Sequence, residues 1–260
     1  MSFWVLCLLC VVQGLTEFLP VSSSGHLLLI EQLFNVNGNL LLLNLFLHLA
    51  TLLAVVIIYR KIIWKILKKP FQPLTYKLLV STAITLIFAF SYKIFDVDAV
   101  AKRVYGFCFL ITAALLFFTY QFQKRAVCVK AGEISYKNAC LVGFVQGLAV
   151  LPGISRSGST ISSLILAGND ENQAAEYSFL LSIPIIVGGF VLELLQVESF
   201  SGVFDTVSPL FCMFAFLLTF AVSMISLKLT IKLLKNKKFI YFSIYVLMLG
   251  LFVLGYNFFI

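Results

Sequence analysis

The sequence predicts an all-α polytopic membrane protein, with six transmembrane helices and two re-entrant helical hairpins arranged as an inverted repeat. Three observations predict it. Of the 260 residues, 61% are hydrophobic and 12% charged, with a mean hydropathy of +1.05, which is more apolar side chain than the interior of a soluble domain of this length can hold. The apolar residues come in runs separated by short basic segments. A segment that combines proline, serines and glycine interrupts the apolar pattern twice. The runs lack the alternation of barrel strands, so the spans are expected to be helices.

The first apolar piece, about 3–14, is too short to cross a bilayer, which takes about 20 helical residues. It has no basic residue before it and no small-residue cleavage site after it, so it is expected to be part of the fold rather than a cleaved signal peptide. The break LPVSSSG (19–25) follows, then a second short piece, about 24–34. Such a pair reads as a hairpin that enters and leaves on the same side. Three runs of spanning length come next, roughly 40–59, 77–95 and 104–122. A second short pair, about 138–150 and 158–168, surrounds the break LPGISRSG (151–158), and three more spans follow, roughly 175–196, 208–229 and 239–259.

The two breaks are related. VQGLTEFLPVSSSGH begins at Val12 and VQGLAVLPGISRSGS at Val145. One hairpin and three spans make an odd number of crossings, so the halves, about 1–122 and 138–260, are expected to be inserted upside down within a single membrane domain, 1–260.

Charge supports this arrangement and argues against a nucleic-acid partner. The net charge is +8, but the positive residues cluster between spans. With both chain ends outside, the cytoplasmic segments carry Arg60, Lys61, Lys65, Lys68, Lys69 and Lys77, then Lys124, Arg125, Lys130 and Lys137, then Lys228, Lys232, Lys235, Lys237 and Lys238. The outer segments carry only Lys93, Lys102 and Arg103. This is the positive-inside pattern. The cysteines at 7, 10, 108, 128, 140 and 212 are scattered, and the C-x-x-C of Cys7 and Cys10 has no second pair, so all six are read as small lipophilic residues.

Few ionisable groups remain inside the apolar runs, where they are costly and usually face a polar cavity. His48 is read as a packing residue and Glu193 as reaching the outer interface. Glu17, His26 and Arg156 lie in or beside the breaks, which an inverted repeat brings together near the midplane. Arg156 offers a planar donor fork suited to phosphate. Ser155, Ser157, Ser159 and Thr160 add hydroxyls, as do Ser22, Ser23 and Ser24 in the first break. Helices that begin near Ser24 or Gly25 and near Ser157 or Gly158 would point their free amides at an anion. Glu17 beside a phosphate calls for a divalent cation, Mg²⁺ or Ca²⁺, between the two. His26 can move protons or attack phosphorus, or a serine can attack with His26 as its base. The inventory fits phosphoryl hydrolysis.

QGLTEFLPVSSSGHL and LPGISRSGSTI resemble the signature motifs of bacterial undecaprenyl-diphosphatases, the family also known for bacitracin resistance. The resemblance extends through ATLLAVV (50–56) and YSFLLSIP (177–184). It implies an enzyme of the bacterial inner membrane that dephosphorylates undecaprenyl diphosphate, an isoprenoid lipid, with its site open to the periplasm or outside. By motif position, Gln13 and Glu17 form the acidic/amide pair, Ser23 matches the proposed nucleophile, His26 the motif histidine, Arg156 the diphosphate clamp, and Ser155 and Thr160 its hydroxyl partners. Many members carry Glu where this chain has Gln13, which leaves Glu17 as its main metal carboxylate. Ser23 and His26 remain alternative nucleophiles. A lipid-phosphate flippase or transporter is the rival reading, and a homodimer is left open.

Overall fold

The structure, a computed structural model, describes residues 2–36, 41–95, 98–125, 133–194 and 209–259. Cys128 and Lys130, and the side chains of Lys93, Lys102 and Glu193, lie outside what is described. Eleven helices account for most of the described residues. They are α1 (Phe3–Thr16), α2 (Ser23–Leu33), α3 (Leu41–Ile58), α4 (Arg60–Lys68), α5 (Pro73–Ile94), α6 (Asp98–Arg125), α7 (Tyr136–Leu148), α8 (Arg156–Leu166), α9 (Glu171–Leu194), α10 (Pro209–Lys235) and α11 (Phe239–Phe259). Among them, α5, α6, α9, α10 and α11 are long and apolar enough to cross a membrane alone, and α3 with α4 makes a sixth candidate. The expected short pairs are α1–α2 and α7–α8.

One element was not expected. Residues 60–68, read as part of a loop, form α4, bent 79° from α3. Ile62, Ile63 and Ile66 are half-buried, while Arg60, Lys61, Lys65 and Lys68 are exposed. At nine residues, with four basic side chains, it is too short and too charged to span. Its apolar and basic faces suit the membrane interface. Lys68 sits over the exposed Trp64 ring, 5.3 Å from its centroid.

The connections expected on one side do meet at one end. Lys77 at the start of α5 pairs with Glu133 ahead of α7 at 3.1 Å. Glu171 at the start of α9 accepts from Gln123 near the end of α6 at 2.9 Å and lies 4.0 Å from Lys237.

Hydroxyls join the re-entrant arms to spans from the opposite half of the chain. Thr219 and Ser226 on α10 donate to the Cys10 and Leu15 carbonyls of α1, at 3.3 and 2.6 Å. Ser81 and Thr85 on α5 donate to the Ala139 and Gly143 carbonyls of α7, at 2.7 and 3.1 Å. Where lipid is as apolar as the side chains, such bonds and close packing hold helices together. The largest buried apolar cluster, around Phe18, Tyr59, Ile161, Leu164 and Phe179, packs α3, α8 and α9 beneath the first break. A second, around Val21, Tyr105, Phe109 and Val246, packs α2, α6 and α11 beside it. The breaks therefore sit against packed apolar side chains. The described cysteines are free, including Cys7 and Cys10.

Candidate active site

Each break is built the same way. The first arm ends, a turn passes over a proline, and a serine caps the next helix. Pro20 cannot donate a backbone hydrogen bond, so α1 cannot continue through it. Ser22 caps α2 by accepting from Gly25 N at 3.4 Å, and Ser155 caps α8 by accepting from Gly158 N at 3.0 Å. The helices begin one or two residues before the expected starts, at Ser23 and Arg156. The first-turn amides of such helices have no acceptor within the helix, and the local dipole favours an anion.

The breaks touch directly. Ser22 Oγ also accepts from Gly153 N, at 3.1 Å, and Ser157 Oγ donates to the Leu19 carbonyl at 3.1 Å. Gly153 has φ +92, and a side chain there would collide with the Tyr105 carbonyl and with Cys108 Cβ. Thr112 on α6 clamps the second break at two points. It donates to the Gly153 carbonyl at 2.9 Å and accepts from Ser155 N at 3.0 Å.

Glu17 is the centre of the site. It is the residue after the last turn of α1, and it is buried. Its Oε1 is ion-paired with Arg156 Nη2. Its Oε2 accepts from Ser23 Oγ at 2.7 Å and from Gln13 Nε2, one turn earlier on α1, at 3.0 Å. Glu17, Ser22, Ser23, Ser24, Ser155, Arg156 and Ser157 all line one cavity of about 40 Å³. That is room for a water or so and less than a diphosphate needs.

Four sequence-identified residues, Gln13, His26, Ser159 and Thr160, lie off this cavity. Gln13 braces Glu17 from behind. Thr160, expected to be a hydroxyl partner of Arg156 toward substrate, is fully buried between α8 and α9. Its hydroxyl lies 2.6 Å from Ser178 Oγ and donates to the Arg156 carbonyl at 2.9 Å. It is one turn past Arg156, on the side of α8 that packs on α9. His26 is not bonded to Ser23 as a base would be. Its Nδ1 is 2.7 Å from the Ser22 carbonyl oxygen and its Nε2 is 2.8 Å from Tyr245 Oη on α11. Ser159 is buried in α8. His48 holds the Asn44 carbonyl through Nδ1 at 2.8 Å.

Sequence reasoning missed Tyr245 and Thr112. A single hydroxyl inside an apolar span gives no signal that separates a site residue from a packing one.

A divalent cation can be tested against the donors present. Among the described residues no group of three or more His, Cys, Asp or Glu side chains could hold a metal. The available donors are one carboxylate, serine hydroxyls, and Gln13 Oε1, which is buried without a hydrogen-bond partner. An all-oxygen set with one carboxylate suits Mg²⁺ or Ca²⁺ when phosphate oxygens and water complete the shell.

Comparisons with known proteins agree along the chain. Residues 6–252 match the family model described as bacitracin resistance protein BacA. The undecaprenyl-diphosphatase of Treponema denticola is 35% identical over 265 residues, covering 96% of each chain. That of Carboxydothermus hydrogenoformans is 37% identical over 252 residues, covering 95% of this chain and 94% of the other. Undecaprenyl-diphosphatase 4 of Bacillus thuringiensis subsp. konkukian is 37% identical over 252 residues, covering 96% of each. With a match of this extent, and with both serine-rich breaks folded into one cavity, the chain belongs to the bacitracin resistance protein BacA family.

Proposed function

We infer that this protein hydrolyses undecaprenyl diphosphate to undecaprenyl phosphate and inorganic phosphate, recycling the carrier lipid of cell-wall synthesis and so conferring bacitracin resistance. One observation carries the chemistry. A serine hydroxyl and an arginine from two different breaks meet on one buried carboxylate.

That geometry supports a serine mechanism. Glu17 Oε2 takes the proton of Ser23 as Ser23 Oγ attacks the terminal phosphorus. The anhydride bond breaks, and undecaprenyl phosphate leaves with the bond's electron pair. Water then attacks the phosphoserine, Glu17 gives its proton back to the departing Ser23 Oγ, and inorganic phosphate leaves with both hydrogens of the water. Arg156 turns from Glu17 to the diphosphate, and the first amides of α2 and α8 add donors to the developing negative charge. Mg²⁺ or Ca²⁺, held by Glu17 and the serine hydroxyls of the cavity, would neutralise phosphate charge when bound. What favours Ser23 over His26 as nucleophile is that both ring nitrogens of His26 are already engaged away from the cavity. All these groups come from one chain, so the mechanism needs no second copy.

The basic connections gathered at one end favour that end as cytoplasmic, which turns the α1–α2 hairpin, and with it the site, toward the outer face of the cell membrane. The test is inorganic phosphate release from undecaprenyl diphosphate by the protein purified in detergent, where there are no two compartments. Release by wild type and its loss in Ser23→Ala are expected. Movement of lipid across vesicles without phosphate release would favour a flippase.

A further inference from the structure

His26 is the fourth residue of α2, and its ring is held on every side. The Ser22 carbonyl, 2.7 Å from Nδ1, can only accept, so Nδ1 carries a hydrogen in either charge state of the ring. In the neutral ring Nε2 then has only a lone pair, and Tyr245 Oη, at 2.8 Å, donates to it. The Tyr245 ring stacks on the imidazole with centroids 5.7 Å apart and planes 16° from parallel. Phe109 closes the edge at 5.5 Å and 89°. This histidine cannot turn toward the cavity without losing both hydrogen bonds.

What it holds is a strained peptide. Ser22 has φ 70 and ψ 95, a left-handed backbone that a serine rarely adopts. Its carbonyl accepts twice from His26, from Nδ1 and from the backbone N at 3.3 Å. The same peptide unit leads into Ser23, whose hydroxyl reaches Glu17 at 2.7 Å.

We propose that Tyr245 is a positioning residue of this site: acting through His26, it fixes the Ser22–Ser23 peptide that aims the Ser23 hydroxyl at Glu17. The proposal rests on the reading of Ser23 as nucleophile. On this view His26 works through Nδ1–H, and its Nε2 serves only to receive Tyr245.

Asparagine places an amide N–H near the position of Nδ1, and glutamine places one near Nε2, so the two replacements separate the roles. His26→Asn retains more phosphate release than His26→Gln, which falls to the level of His26→Ala. Tyr245→Phe keeps the stacked ring and loses the hydroxyl. It lowers kcat about tenfold, in the range of a modest misplacement of a reacting group, and leaves KM within about twofold, because aim is felt only in the transition state. Added to His26→Ala, it lowers kcat no further. All variants are compared with wild type for monodispersity and melting in detergent. Greater activity in His26→Gln than in His26→Asn overturns the proposal, as does an equal loss from Tyr245→Phe with and without His26. Ser23→Ala measured beside them separates the two readings: full activity there overturns the serine nucleophile, whereas full activity in Tyr245→Phe alone overturns only the role of Tyr245.

Discussion

Ser23 and Arg156 are the first residues of α2 and α8, and each reaches a different oxygen of the same carboxylate, Glu17. The two helices come from opposite halves of the chain. In the repeat, the position that is a nucleophile candidate in one break is the cation in the other, so each break supplies what the other lacks. Glu17 keeps the two apart in charge and together in space. It pairs with the arginine while it accepts a hydrogen bond from the serine.

Glu17→Gln tests that dual role. An amide keeps the size and some hydrogen bonding but can neither take the Ser23 proton nor neutralise Arg156. Phosphate release is expected to fall by about 10²–10⁴, the usual worth of a positioned base. Removing one partner of a buried ion pair also leaves the other charge uncompensated, so the melting temperature in detergent falls too. Arg156→Lys separates clamp from charge. Lysine keeps the positive charge without the planar fork, and the expected result is a raised KM with the protein still folded.

The strained cap gives a second test. The Ser22 hydroxyl accepts from Gly25 N and Gly153 N and so fastens one break to the other. Ser22→Ala leaves two buried amides short of an acceptor, at a cost of about 1–3 kcal/mol for each. Gly153→Ala is expected to be worse. It must fit a Cβ 2.7 Å from Cys108 Cβ, at φ +92, where L side chains are disfavoured. Thermal unfolding and phosphate release in the same detergent are expected to rank wild type above Ser22→Ala and Ser22→Ala above Gly153→Ala.

Much of this was legible in the sequence for a physical reason. In lipid a helix break leaves backbone groups that need partners, and proline, serine and glycine together announce both the break and its caps. Glu17 and Arg156 stood out because charges inside apolar runs are costly. Helix α4 was hidden because four basic residues in a row of nine look like a loop when only spanning length is scored. The orientation of His26 and Thr160 was hidden because being near a motif does not fix the face of a helix. Each is one turn or less from a cavity residue, and each is turned to a neighbouring helix, His26 to α11 and Thr160 to α9.

Thr160 therefore makes a distinct prediction. Its hydroxyl joins α8 to α9 through Ser178 and bonds the Arg156 carbonyl, away from the cavity. Thr160→Val keeps the shape and leaves Ser178 Oγ without this partner. The expected outcome is a lower melting temperature, from a loss of about 1–3 kcal/mol, with KM for the diphosphate lipid within about twofold of wild type. A KM raised as far as in Arg156→Lys would place the hydroxyl on the substrate instead.

Thr112 offers the sharpest contrast between a replacement that keeps shape and one that keeps chemistry. On α6 it donates to the Gly153 carbonyl and accepts from Ser155 N, so one hydroxyl ties down both flanks of the residue at the bend, Ile154. Ser155 is the cap of the helix that begins with Arg156. Thr112→Val fills the same space and removes both bonds, leaving a buried N–H and a buried C=O unpaired. Thr112→Ser removes one methyl and keeps both bonds. If the bonds matter because they aim Arg156, Thr112→Val loses phosphate release about 10²-fold, as expected for a reacting geometry moved by an ångström, and Thr112→Ser stays near wild type. Should Thr112→Ser lose as much as Thr112→Val while both proteins stay monodisperse, packing of the methyl group, and not the clamp on the second break, would be what Thr112 provides.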